Sequence, residues 1–201
     1  MYDILPPKET IEKTMAALKA NGIDAYFAEN GEVAKKKILE LIPEGAEIMN
    51  MTSMTLEALG VPKELMESGK YDSVRKKFMS MDRKTQGKEM QKMGAAPDWA
   101  IGSVHAVTED GQVMIASATG SQLPAYAYGS GHVLWVAGAH KIVKDINEGF
   151  KRIYEHSLVL ENERAKKAYG IGSSVNKILI VNKEAQPGRI TMVLVNEVLG
   201  F

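Results

Sequence analysis

Several runs in this chain are apolar at nearly every position, where a strand with one wet face would be apolar at every second one. "HVLWVAG" (132–138) and the middle of "RITMVLVNEV" (189–198) are the clearest, and "AEIMN" (46–50) reads as a shorter buried strand. A strand with one face in water alternates apolar and polar residues, whereas a strand covered on both faces has no need to. Such strands require helices on both sides of their sheet, and the segments between them supply helices. Ile11, Met15 and Leu18 fall at i, i+4 and i+7 and stop at Asn21-Gly22. Val33 to Ile42 carries Ala34, Ile38, Leu41 and Ile42 on one face and closes at Pro43 and Gly45. "KIVKDINEGFKRIYEHS" repeats Ile142, Ile146, Phe150 and Ile153 at helical spacing, and a further helix runs to about Ala168.

The remaining elements fit the same scheme. "IDAYFAE" reads as a strand. "PDWAIGSVHAVTEDGQVMIAS" reads as a strand, a short second strand, a turn at Glu109-Asp110-Gly111 and a third strand. "NKILIVN" and "RITMVLVNEV" flank the turn-prone "KEAQPG" and are expected to pair as an antiparallel hairpin near the C-terminus. Residues 61–93 are rich in Lys, Glu, Gln and Met and read as helical, with Met79, Met81, Met90 and Met93 as adaptable filler and Gly87 as a break. The expected fold class is α/β, a three-layer single domain over 1–201 with a mostly parallel sheet and a C-terminal antiparallel hairpin.

Composition removes whole classes of function. The chain has 201 residues and no cysteine, so disulfides, thiolate metal sites and cysteine-ligated iron–sulfur clusters within it are excluded. Net charge is zero, so nothing draws the whole molecule toward nucleic acid. The N-terminus lacks a basic segment followed by an apolar one, and the longest clean apolar run, Val133 to Ala139, is far short of the ~20 residues that cross a bilayer. A cytoplasmic protein is expected. The four histidines, His105, His132, His140 and His156, are scattered, and no metal site or cofactor is expected. "GIGSSV" (170–175) has a helix before it and a strand after it, the reverse of a dinucleotide loop.

In an open α/β sheet, ligands bind where the strands end. "NMTSMT" (50–55) leads from a strand through a hydroxyl-rich loop into a helix. Thr52, Ser53 and Thr55 could hold an anion there or, with Glu57, cap the helix. Ser103 closes another strand, and His105 beyond it is a candidate acid or base, with Glu109 as a candidate carboxylate; a packed histidine and a solvated turn are the alternatives. "ASATGSQ" (116–122) concentrates Ser117, Thr119, Gly120, Ser121 and Gln122, a possible cradle in which bare backbone at Gly120 admits a ligand. Lys141, in "AGAHKIV", is a candidate anion clamp or a solvated lysine.

Taken in order, "MTSMTLEALG", "GSVHAVTEDGQVMIASATGSQLPAYAYG", "VAGAHKIVKDINEGFKRI", "NKILIVNKE" and "PGRITMVLVNEVLGF" resemble the lactate-utilisation (LUD) domain family, in its compact YkgG-like branch. The resemblance implies a fold like that of ribose-5-phosphate isomerases and CoA-transferases. In the isomerase relatives a hydroxyl-rich loop binds phosphate, and "NMTSMT" looks like its counterpart. Their acidic catalytic pair has no evident equivalent near Ser103, His105 and Glu109, so isomerase chemistry does not carry over. Many LUD relatives have asparagine where His105 stands. Some also carry a cysteine cluster where this chain has "AYGIGSSVNKI". The family is linked to oxidation of L-lactate to pyruvate alongside separate iron–sulfur proteins.

The leading expectation is therefore a component of lactate utilisation that binds a small organic acid or a phosphorylated ligand. Its expected partners are that anionic small molecule and iron–sulfur oxidoreductase proteins, which would carry the electrons; a homo-oligomer is left open. Two alternatives stand beside it: a stand-alone isomerase or acyl-transfer enzyme using His105 and Glu109, and a non-catalytic assembly subunit docking through the Met-rich segment.

Overall fold

The computed structural model describes residues 2–201. The chain opens with α1 (Lys8–Ala20), β1 (Asp24–Ala28), α2 (Gly31–Leu41) and β2 (Glu47–Asn50). The middle segment follows as α3 (Met54–Ala58), α4 (Val61–Glu67), the two-residue β3 (Asp72–Ser73), α5 (Val74–Met79) and α6 (Arg83–Ala95). Then come β4 (Trp99–Gly102), β5 (Ala106–Thr108), β6 (Val113–Ser117), β7 (His132–Gly138) and β8 (Ile142–Val143). The chain ends with α7 (Ile146–Arg152), α8 (Leu158–Tyr169), β9 (Lys177–Val181) and β10 (Ile190–Val195).

Six strands form one sheet in the order β1-β10-β7-β4-β2-β3, and every pairing in it is parallel. The fully apolar runs take the inner places. In β7, Leu134 and Val136 face one side, where Ala34, Ile38, Leu56 and Leu65 of α2, α3 and α4 pack on them. Val133, Trp135 and Ala137 face the other side, among Leu18 of α1, Val74 of α5 and Tyr126. Both faces are dry, as the sequence pattern requires.

The second side is completed by another sheet, ordered β8-β5-β6-β9 and mixed in direction. Val107, Val113 and Ile115 project from it into the shared core, while Ala106, Met114 and Val143 pack on its far side with Ile153. The expected Glu109-Asp110-Gly111 turn joins β5 to β6, with Gly111 N–H donating to Thr108 O.

Two local expectations are corrected. The C-terminal antiparallel hairpin does not form: β9 joins the edge of the second sheet beside β6, and β10 enters the parallel sheet between β1 and β7. β10 is buried almost throughout, whereas β9 is only half-buried. A strand apolar on both faces is more stable between two neighbours than at an edge, so the two strands part. Arg189 anchors the point where they separate. It is 5% exposed. Its guanidinium donates to Ser130 O at 3.0 Å, Tyr126 O at 3.0 Å and Ala125 O at 3.3 Å, and it pairs with Glu184 at 2.6 Å. The helix expected from Lys141 begins only at Ile146, because Asp145 caps it by accepting from Glu148 N–H. Ile142 and Val143 instead lie beside Val107 and Thr108 as β8.

Arg189→Met should strand Glu184 and three carbonyls in a buried setting, lowering the unfolding free energy by about 3–5 kcal/mol. Urea denaturation of the two proteins measures it; an unchanged midpoint would mean that the anchor contributes nothing.

Candidate functional site

β2, β4 and β7 are neighbours in the parallel sheet, so their C-terminal ends lie side by side. From them lead Met51 to Thr55, Ser103 to His105, and Ala139 to Lys141. The loop after β6 reaches the same place. Together they line a cavity of about 890 Å³. Thr52, Ser53, Thr55, Ser103, His105, Ser117, Thr119, Ser121, Gln122 and Lys141 all lie on its wall. Most of the side chains singled out in the sequence therefore converge.

Two do not reach it. Glu109 sits in the β5–β6 turn, paired with Lys13 of α1 at 2.8 Å, and does not line the cavity. Gly120 is also off the wall. It takes a φ of 84° that suits glycine, and a Cβ there would come within 2.6 Å of the Lys177 side chain. Its part is to turn the loop: Gly120 N–H donates to Ser117 Oγ at 2.8 Å, and Ser117 Oγ donates to Gln122 Oε1 at 2.9 Å. Ser53 spends its oxygen on capping α3, accepting from Leu56 N–H. With five residues, α3 contributes little dipole.

At the centre lies a knot of three side chains. Lys141 Nζ is 3.1 Å from Thr55 Oγ1, 3.1 Å from Ser103 Oγ and 3.3 Å from Val104 O. Thr55 Oγ1 donates to Leu199 O at 3.0 Å, which ties the C-terminal segment to the knot. Lys141 is 2% exposed and no carboxylate lies within ion-pair distance. Burial, with the Arg152 guanidinium nearby, holds its pKa well below the ordinary lysine value. Arg152 is fully buried; one of its nitrogens donates to His105 O at 2.6 Å and Ser157 Oγ at 2.9 Å, and the other two have no partner among the described residues.

For His105, the candidate acid or base, the structure fixes one of the two ring nitrogens. Its Nδ1 accepts from Ala116 N–H at 3.1 Å. The neutral ring therefore carries its proton on Nε2, which bonds no protein atom among the described residues. Burial, then Lys141 and Arg152, lower its pKa to about 3. At neutral pH the ring is then uncharged, with Nε2–H as a hydrogen-bond donor.

The middle segment and α8 supply residues that the motifs did not reveal. Arg75 of α5 and Arg83 of α6 line the cavity, and the Arg75 guanidinium donates to Thr52 Oγ1. Arg164 and Glu161 of α8 line it too, joined by two hydrogen bonds of 2.7 and 2.8 Å. Tyr126 lies against Gly102, where a Cβ would fall 1.8 Å from its hydroxyl, so only glycine lets that ring reach the wall. Of the methionines, Met90 is buried and Met93 packs on the core, whereas Met79 is 81% exposed.

His105 and His140 are both lowered to about 3, in each case first by burial. An unfolded histidine titrates near 6.5, so below that pH the unfolded chain binds protons that the native one does not. Buried Lys141, also lowered, makes stability fall as pH drops from the ordinary lysine range; below pH 6.5 the two histidines should steepen that fall toward pH 3, each adding a slope approaching ~1.4 kcal/mol per pH unit. Urea midpoints across pH 3.5–7.5 read this out. His140→Asn should flatten the decline, and a slope equal to the wild type's would remove His140 from the account.

No curated protein sequence matches the chain. Among solved structures, it resembles a DUF162 family protein from Deinococcus radiodurans at a TM-score of 0.59 and 10% identity, over 96% of this chain and 100% of that one. Weaker likenesses include ribose 5-phosphate isomerase from Plasmodium falciparum, at a TM-score of 0.38 and 14% identity over 79% of each chain. Another is eIF2B delta from Chaetomium thermophilum, at a TM-score of 0.40 and 11% identity over 72% of this chain and 58% of that one. The LUD domain matches residues 11–200, nearly the whole sequence, and the chain belongs to the LUD domain family.

Proposed function

We propose that the cavity binds a small organic anion and that, through it, the protein serves L-lactate oxidation to pyruvate. The charge of the wall carries this reading. Arg75, Arg83 and Arg164 line the cavity beside the Lys141 amine, against one acidic side chain among the described residues, Glu161, and that carboxylate is already paired with Arg164. A carboxylate or phosphate would restore the balance, with Arg75 and Arg83 as charged donors and the hydroxyls of Thr52, Thr119 and Ser121 as neutral ones. His105 Nε2–H adds a fixed donor for a ligand oxygen.

The size of the cavity qualifies the ligand. About 890 Å³ lies in the range that holds ligands of drug size. A three-carbon acid would fill a small part of it, so the reading extends to an acid attached to a larger group, such as a thioester or a phosphorylated carrier. Electron transfer falls to iron–sulfur partner proteins in this scheme, because the chain has no cysteine to ligate a cluster. The isomerase alternative loses support, since Glu109 faces Lys13 and Glu161 has both oxygens bonded to Arg164.

Thermal-shift measurements with lactate, pyruvate, sugar phosphates, CoA esters and nucleotides test the proposal. A ligand at 100 times its dissociation constant should stabilise the protein by about 2.7 kcal/mol. Arg75→Ala should weaken binding by about ten- to hundredfold, the cost of a lost charged hydrogen bond. If no anion in the set shifts the wild-type transition, the reading is wrong.

A further inference from the structure

We propose that Lys141 is a nucleophile: its amine attacks the carbonyl carbon of a 2-oxo acid held in the cavity and forms a Schiff base. The inference rests on the reading of the cavity as an anion site and gives that site a reaction. It begins with what surrounds the amine.

A lysine in an ion pair is fixed as an ammonium and has no lone pair to give. Lys141 has no such partner. Its three neighbours are two hydroxyls and one carbonyl oxygen. A carbonyl can only accept a hydrogen bond, so Val104 O takes one amine hydrogen. Thr55 gives its own proton to Leu199 O, so its Oγ1 accepts from Lys141 and takes the second. The remaining neighbour, Ser103 Oγ, accepts from Lys141 at 3.1 Å, and its hydroxyl can rotate to donate instead. With Ser103 so turned, an uncharged amine with two hydrogens and one lone pair has every position satisfied. The arrangement accommodates the neutral form without a missing partner. Burial beside Arg152 favours that form further.

The same neighbours equip the reaction. Lys141, Ser103 and His105 face one cavity, which Arg75 and Arg83 also line. With the carboxylate of the 2-oxo acid held by arginine, the amine lone pair forms a C–N bond to the carbonyl carbon. The carbonyl π electrons pass to its oxygen, which the Ser103 hydroxyl and His105 Nε2–H stabilise as hydrogen-bond donors. The nitrogen gives up a proton and the oxygen gains one, leaving a neutral carbinolamine. Loss of that hydroxyl as water, with the second nitrogen hydrogen as its proton, leaves a C=N bond between Lys141 and the substrate. Amine and ketone give imine and water, and no electron acceptor is needed.

Pyruvate with sodium cyanoborohydride is the direct test, since hydride reduces an imine to a stable secondary amine. Intact-mass and peptide mass spectrometry should find one reduced pyruvyl group, on Lys141. The rate of labelling should change less than about twofold between pH 7 and 9, whereas an exposed lysine gains about tenfold per unit over that range. Lys141→Arg, which keeps a basic side chain but has no nucleophilic amine, should lose the label entirely while its circular dichroism stays native. Ser103→Ala should keep the label but slow it at least tenfold. Labelling spread over surface lysines, or a Lys141 rate that climbs tenfold per pH unit, overturns the proposal. So does a pyruvate-dependent thermal shift with no label at Lys141, an outcome that would leave the binding proposal standing.

Discussion

Two buried basic side chains, Lys141 and Arg152, sit at the end of the parallel sheet with no carboxylate within ion-pair distance among the described residues. Few arrangements in a folded protein are so costly, because a charge removed from water must be compensated, neutralised or bonded on every side. The fold does some of each. The Arg152 guanidinium leans on the His105 carbonyl and Ser157, with the Tyr2 ring 5.8 Å away. Lys141 is surrounded by oxygens that do not demand a charge. His105 and His140, in the same region, are held neutral. The interior therefore resists any further positive charge, which is the physical ground for the proposed anion site.

This arrangement follows from the sheet. Parallel strands deliver all their C-terminal ends to one edge, and β2, β4 and β7 are adjacent there. The knot gathers Thr55, Ser103 and Lys141 from three loops far apart in the chain, the widest pair being Thr55 and Lys141. A fold with antiparallel neighbours would have sent alternate loops to opposite ends. The second sheet adds the fourth wall, and its β6 ends in the Ser117–Gln122 loop, whose side chains bond within the loop, Ser117 to Gln122 and Gly120 N–H, and Thr119 to Ser121.

How much of this could be read from the sequence depends on the range of the interaction involved. The apolar runs of β7 and β10 announce a buried sheet because burial on both faces leaves a mark on every residue. The hydroxyl clusters at 52–55 and 117–122 mark strand ends for a similar reason: each lies just after such a run. Which strand pairs with which leaves no local mark, so "KEAQPG" looked like a hairpin turn although its two strands join different sheets. Arg75 and Arg83 stood among many charged residues of a helical segment, and nothing in their spacing separates a cavity cation from a solvated one. Glu109 was the reverse case. Its closeness to His105 in sequence suggested a shared site, but the β5 strand between them carries it toward α1.

The cradle loop and the lysine knot also differ in what binding would cost. Ser117, Thr119, Ser121 and Gln122 are already ordered by bonds within their own turn, so a ligand there pays little additional conformational entropy. At the knot the cost is chemical: any group that approaches Lys141 must take the place of a Ser103, Thr55 or Val104 contact. A ligand held by arginines and hydroxyls at the rim can supply the free energy for that exchange. In the proposed scheme the two regions would have separate tasks in one cavity, the outer one supplying affinity and the inner one spending it on a contact that a simple anion would not need.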